Sequence, residues 1–135
     1  MRNLKSLARY GLATAMTAVG ILHFLKPQGF VAIVPAALPF PLALVYISGF
    51  FEVAGGVGLL VSRFRKAAAW GLILLYIAVF PANINMAIYQ IPLDGQAVPA
   101  WALWARLPFQ AVFIAWAWWM TREDAAHIEQ QKAAA

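Results

Sequence analysis

Between Ala67 and Ile88 the chain runs for 22 residues without a charge. A helix rises 1.5 Å per residue, so this stretch is long enough for the ~30 Å hydrocarbon core of a bilayer. Three more segments read the same way: about Ser6 to Leu25, Leu42 to Ser62 with Glu52 inside, and Ala100 to Thr121 with Arg106 inside. A soluble helical bundle would need a polar face on every helix, and the third segment has almost none. Charged residues make up only 11% of the chain, against roughly 25% in ordinary globular proteins. The expectation is an all-α integral membrane four-helix bundle, one membrane domain over residues 1–135 with a polar tail from Arg122.

Lys and Arg orient it. Arg2, Lys5 and Arg9 precede the first span, Arg63, Arg65 and Lys66 form the turn between the second and third, and Arg122 and Lys132 lie in the tail. The two other loops hold only Lys26. Basic residues accumulate on the cytoplasmic side, so both termini and the middle turn are expected there. The net charge of +5 is thereby explained by topology, and no nucleic-acid partner is expected. Trp70, Trp118 and Trp119 fall at the inner boundary and Tyr46, Tyr89 and Trp101 at the outer one, as in an aromatic belt. The basic, apolar start reads as a retained first span, because its small-residue triplet Ala13-Thr14-Ala15 lies inside the apolar run. Lys26 to Pro41, with four prolines, reads as a loop or short helix on the membrane surface. Asp94-Gly95 marks a turn between the last two spans. The tail acids Glu123, Asp124 and Glu129, with His127, read as a solvated face.

The chain has no cysteine and two distant histidines, so no metal site is expected. Chemistry is sought at the polar groups inside the spans, since an ionised side chain at mid-bilayer costs ~2.5–3.5 kcal/mol on insertion scales. Glu52 is about 15 Å deep at 1.5 Å per residue, and its helical neighbours are Ser48, Gly49, Gly55 and Gly56. Such small residues let helices approach closely, so Glu52 is expected to face protein; Ala67 and Gly71 offer a second small surface. Arg106 has Gln110 one turn deeper on its face, and a Glu52–Arg106 ion pair is expected. His23 ends the first span, and Asn83 shares a face with Tyr76. Pro81 and Pro108 deprive the carbonyls of Ile77 and Trp104 of their helical donors, which calls for polar partners. These features imply one pocket in the outer half, open to the outer face, lined by His23, Glu52, Asn83 and Arg106 with Tyr76 and Gln110 at its edge. The bland alternatives are a packing lock for the charged pair and interhelical glue for Asn83 and Asn85.

Gly20-Ile21-Leu22-His23-Phe24 before a Pro-rich loop, Ser48-Gly49-Phe50-Phe51-Glu52, Gly55-Gly56, Leu59-Leu60, then Arg65, Ala68, Gly71 and Phe80-Pro81-Ala82-Asn83 resemble the DoxX family of small bacterial membrane proteins, over about residues 11 to 118. The resemblance implies a multi-pass bundle in the bacterial inner membrane, motif positions at His23, Glu52 and Asn83, and in some relatives a place in quinone-linked oxidoreductases such as thiosulfate:quinone oxidoreductase. Arg106 matches only loosely.

Three functions follow. In the first, the chain is a subunit of a quinone-linked redox system: His23, Glu52 and Arg106 bind a quinone carbonyl and relay its proton, while Phe24, Phe50, Phe51 and Phe80 pack on the ring. The chain carries no intrinsic cofactor in this reading, needs a redox partner protein, and is not a complete enzyme alone. In the second, a membrane Glu that alternates between protonated and paired states drives transport of a small solute or proton. In the third, the polar cluster fixes helix register in an assembly subunit, with a homo-oligomer as one form.

Overall fold

The structure is a computed structural model that describes residues 2–93, 95–122 and 125–135. Asp94 of the expected turn and Glu123 and Asp124 of the tail lie outside the described residues, as does the side chain of His127.

Proline sets where several helices begin. Its fixed φ suits the first helical turn, where no N–H is needed. Accordingly α1 (Arg2–Leu25) is followed by the short α2 (Pro27–Val31), α3 (Pro41–Leu60) opens on a proline, and α5 (Ala100–Thr121) starts just after Pro99. The remaining helices are α4 (Arg65–Tyr89) and α6 (Ala125–Ala134). The fold is all-α. α4 and α5 run through Pro81 and Pro108 without ending. Phe40, between two prolines, sits in the left-handed region at φ 53°, a conformation unfavourable for a bulky side chain.

Four long helices pack in sequence order: α1 on α3, α3 on α4, α4 on α5, with a lighter contact from α5 back to α1. One end of the molecule gathers the basic residues of the N-terminus, the α3–α4 turn and the end of α5. The other gathers α2 and the α4–α5 connection. Toward the basic end the core is Leu12, Met16, Leu59, Leu72, Ile73, Tyr76, Ala117 and Met120. At the loop end Ile33, Met86, Ala87 and Leu103 form a second, smaller core. Ile33 thus folds inward, and Asn85 holds it there by donating to its carbonyl at 3.1 Å. The expected surface-lying segment is therefore partly built into the molecule.

Glycine governs the closest approach. A Cβ on Gly49 would stand 2.6 Å from the Cβ of His23, and one on Gly20 would stand 2.8 Å from the Gly49 carbonyl. Lower down, a Cβ on Gly56 would stand 2.8 Å from the Ala13 carbonyl. Backbone meets backbone along α1 and α3, as small-residue stripes permit. The Ala67–Gly71 surface behaves otherwise: it is exposed, and a Cβ on Gly71 would meet no neighbour within 4 Å.

α3 and α4 are long and apolar enough to cross a membrane, and only 28% of each apolar window is buried within the chain. α1 and α5 fall short of that hydropathy test. α1 carries Arg2, Lys5 and Arg9. The five tryptophans of α5 lower its index although indole is at home at a membrane boundary.

Candidate functional site

The close α1–α3 contact brings His23 and Glu52 together. His23 is 7% and Glu52 8% exposed. Nδ1 of His23 lies 3.0 Å from Oε2 of Glu52 and 2.9 Å from the carbonyl of Val19, one turn earlier in α1. One N–H cannot serve both acceptors. With its proton on the Val19 carbonyl, Glu52 Oε2 has no donor of its own among the described residues. In the other neutral tautomer, with the imidazole proton on Nε2, Nδ1 accepts from a protonated Glu52 carboxyl and the Val19 carbonyl loses that donor, so the pair has two neutral arrangements. The other side of the imidazole is covered by Phe30 of α2, stacked at 3.8 Å between centroids. Ser48 turns back to the Val45 carbonyl at 3.0 Å and does not join the pair.

A second polar cluster closes between α4 and α5. Asn83 Nδ2 donates to Gln110 Oε1, and Gln110 Nε2 donates to the carbonyl of Tyr76. That carbonyl lies one residue before Ile77, where Pro81 removes the helical donor, so the glutamine enters the helix where it is loosened. Arg106 donates to Asn83 Oδ1 at 3.3 Å and to the sulfur of Met86 at 3.0 Å. Its charge meets no carboxylate among the described residues. Tyr76 stands between the clusters, with its hydroxyl donating to Met16.

The six candidates therefore form two groups and do not surround one space. Glu52 pairs with His23 and not with Arg106, because α3 and α5 are not among the packed helix pairs. Neither concavity described for the molecule is lined by any of the six. One is an apolar groove along Leu4, Leu7, Tyr10 and Trp116. The other lies at the basic end, has a volume of about 310 Å³, and is lined by Lys5, Arg9, Arg63, Arg65, Lys66 and Arg122 among others. Sequence reasoning used those basic residues for topology alone. The signal that they converge was their placement at three helix ends on one side.

Residues 12–121 match the family described as "Domain of unknown function (DUF8561)". No curated protein and no solved structure matches the chain. The match overturns the resemblance to DoxX. The glycines of the motifs that carried it lie at the α1–α3 contact, where close backbone approach demands small residues in any helical pair; they report packing and do not identify a family.

Proposed function

We propose, since the chain belongs to the DUF8561 family and that family assigns no activity, a role argued from its own geometry: a multi-pass protein of the bacterial inner membrane, four helices across the bilayer and both ends cytoplasmic, serving as the membrane subunit of a quinone-linked redox system. The membrane part is supported by the outward faces of the helices. Ile47, Phe50, Val57, Leu74, Ile77, Phe109 and Val112 are all more than 45% exposed, an apolar surface far beyond what a monomer leaves in water. The eight-to-one distribution of basic residues supports the orientation.

The observation that carries the redox part is the buried His23–Glu52 pair. α1 and α3 are already joined by glycine contacts and do not need an ionisable pair to meet, and such groups inside a membrane mark proton or ligand pathways. Beside the pair lie flat apolar side chains: Phe30 on the imidazole, Phe24 stacked on Tyr46 at 5.5 Å, and the exposed Phe50. A quinone is an apolar ring with two carbonyl acceptors. Electrons come from a partner protein, and the pair delivers a proton to the reduced quinone oxygen and is reprotonated from outside the bilayer.

Thermal unfolding of the protein in nanodiscs, with and without a short-chain ubiquinone or menaquinone analogue, tests this. The expected result is a quinone-dependent rise in Tm that Glu52→Gln abolishes. No rise with either quinone ends the redox reading. A structural reading then stands on the second cluster, where Asn83, Gln110 and Arg106 answer one another and so fix the register of α4 against α5.

A further inference from the structure

The basic end holds a feature that neither reading uses. Six cationic side chains from four places in the chain line one cavity: Lys5 and Arg9 of α1, Arg63 of the turn, Arg65 and Lys66 of α4, and Arg122 after α5. Gln131 of α6 also reaches it, so the C-terminal helix borders the same space. For Arg63, Arg65 and Arg122, what holds the side chain in place leaves its charge intact. Arg65 Nε donates to the carbonyl of Leu59 at 3.1 Å, and Lys5 donates to the carbonyl of Arg122. The Arg122 guanidinium lies 3.9 Å over the Trp118 ring, and Arg63 lies 5.8 Å over Phe64. Each of these anchors is a neutral carbonyl or ring. Arg63, Arg65, Lys66 and Arg122 make no ion pair among the described residues.

Like charges gathered around a cavity repel one another, and a bound anion relieves that repulsion. Arg65 keeps its two terminal nitrogens beyond the one bonded to Leu59, in the fork that matches a tetrahedral oxyanion. The cavity, about 310 Å³, has room for a phosphate with a small substituent. We infer that the basic end is a binding site for a phosphate group, carried by an anionic phospholipid of the adjacent leaflet or by a soluble phosphate compound. Basic pockets between membrane helices on the cytoplasmic side have this chemistry. The phosphate site is independent of the redox reading; only its lipid source relies on the membrane reading.

Native mass spectrometry of the full chain released from detergent tests it, with phosphatidylglycerol, phosphatidylcholine, glycerol phosphate and inorganic phosphate as separate probes. Phosphatidylglycerol is expected to bind well over phosphatidylcholine. Combined Arg63→Gln, Arg65→Gln and Lys66→Gln is expected to weaken it about a hundredfold, at roughly fivefold per basic residue, while Lys132→Gln, not among the lining residues, leaves it unchanged. Binding of glycerol phosphate and inorganic phosphate with the same loss in the triple variant assigns the site to soluble phosphates; binding of the lipid alone assigns it to the leaflet. Equal binding of both lipids without binding of either phosphate, or a triple variant that binds as the parent does, overturns the site. Helical circular dichroism reports whether the triple variant folds, and Arg122→Gln alone, expected to weaken binding about fivefold, is read in its place if it does not.

Discussion

The His23–Glu52 contact and the basic end are both concentrations of polar residues, and they are built in opposite ways. At His23 and Glu52, backbone approaches backbone, the polar atoms face one another, and neither described concavity reaches them. At the basic end, cations are spaced around a cavity, and Arg63, Arg65 and Arg122 are anchored by neutral groups. The first arrangement turns its polar groups toward each other inside the fold. The second leaves charge for something else to satisfy. A close-packed contact should therefore be sensitive to volume and pairing, and a charged cavity to little besides charge.

The sharpest way to break this contrast is Gly49→Leu. Its Cβ alone would stand 2.6 Å from His23 Cβ, and overpacking of a tight contact costs about 3 kcal/mol, read as loss of Tm in detergent. Next comes a double-mutant cycle on His23→Ala and Glu52→Ala, with an expected coupling of about 1–2 kcal/mol. The same cycle on Glu52 and Arg106 should be additive within about 0.5 kcal/mol; strong coupling there would restore the pair that the helix packing excludes. Gln110→Leu removes the bridge between Asn83 and the Tyr76 carbonyl and should lower stability by about 1 kcal/mol, the usual worth of interhelical hydrogen bonds in membranes. Smallest of all, Arg63→Gln should change stability by less than about 0.5 kcal/mol. A large loss there would mean that the basic end is held together by its cations and not merely lined by them.

Much of this was legible in the sequence. Apolar runs located the long helices, and the cost of polar groups among apolar neighbours singled out His23, Glu52, Asn83 and Arg106. Partner choice was not legible. Depth alone matched Glu52 with Arg106, but a contact also requires adjacent helices facing each other, and α3 lies between α1 and α4. Ala67 and Gly71 show the same limit: composition makes a small surface without saying which way it turns. Phe30 and Ile33 were read as surface residues because a short apolar run in a proline-rich loop has no periodicity to show an inward face. The grouping of the basic residues around one cavity needed the helix ends in three dimensions.

Each polar cluster inside the fold closes within one helical hairpin. His23 and Glu52 belong to α1 and α3, and Asn83, Gln110 and Arg106 to α4 and α5. For a chain delivered to a bilayer from its N-terminus, this order of pairing coincides with the order of synthesis. The first hairpin can bury its imidazole and carboxyl together before the third long helix exists, and Asn83 and Gln110 of the second answer each other. On the membrane reading proposed above, neither half of the nascent protein has to hold these groups unanswered in lipid while the rest is made.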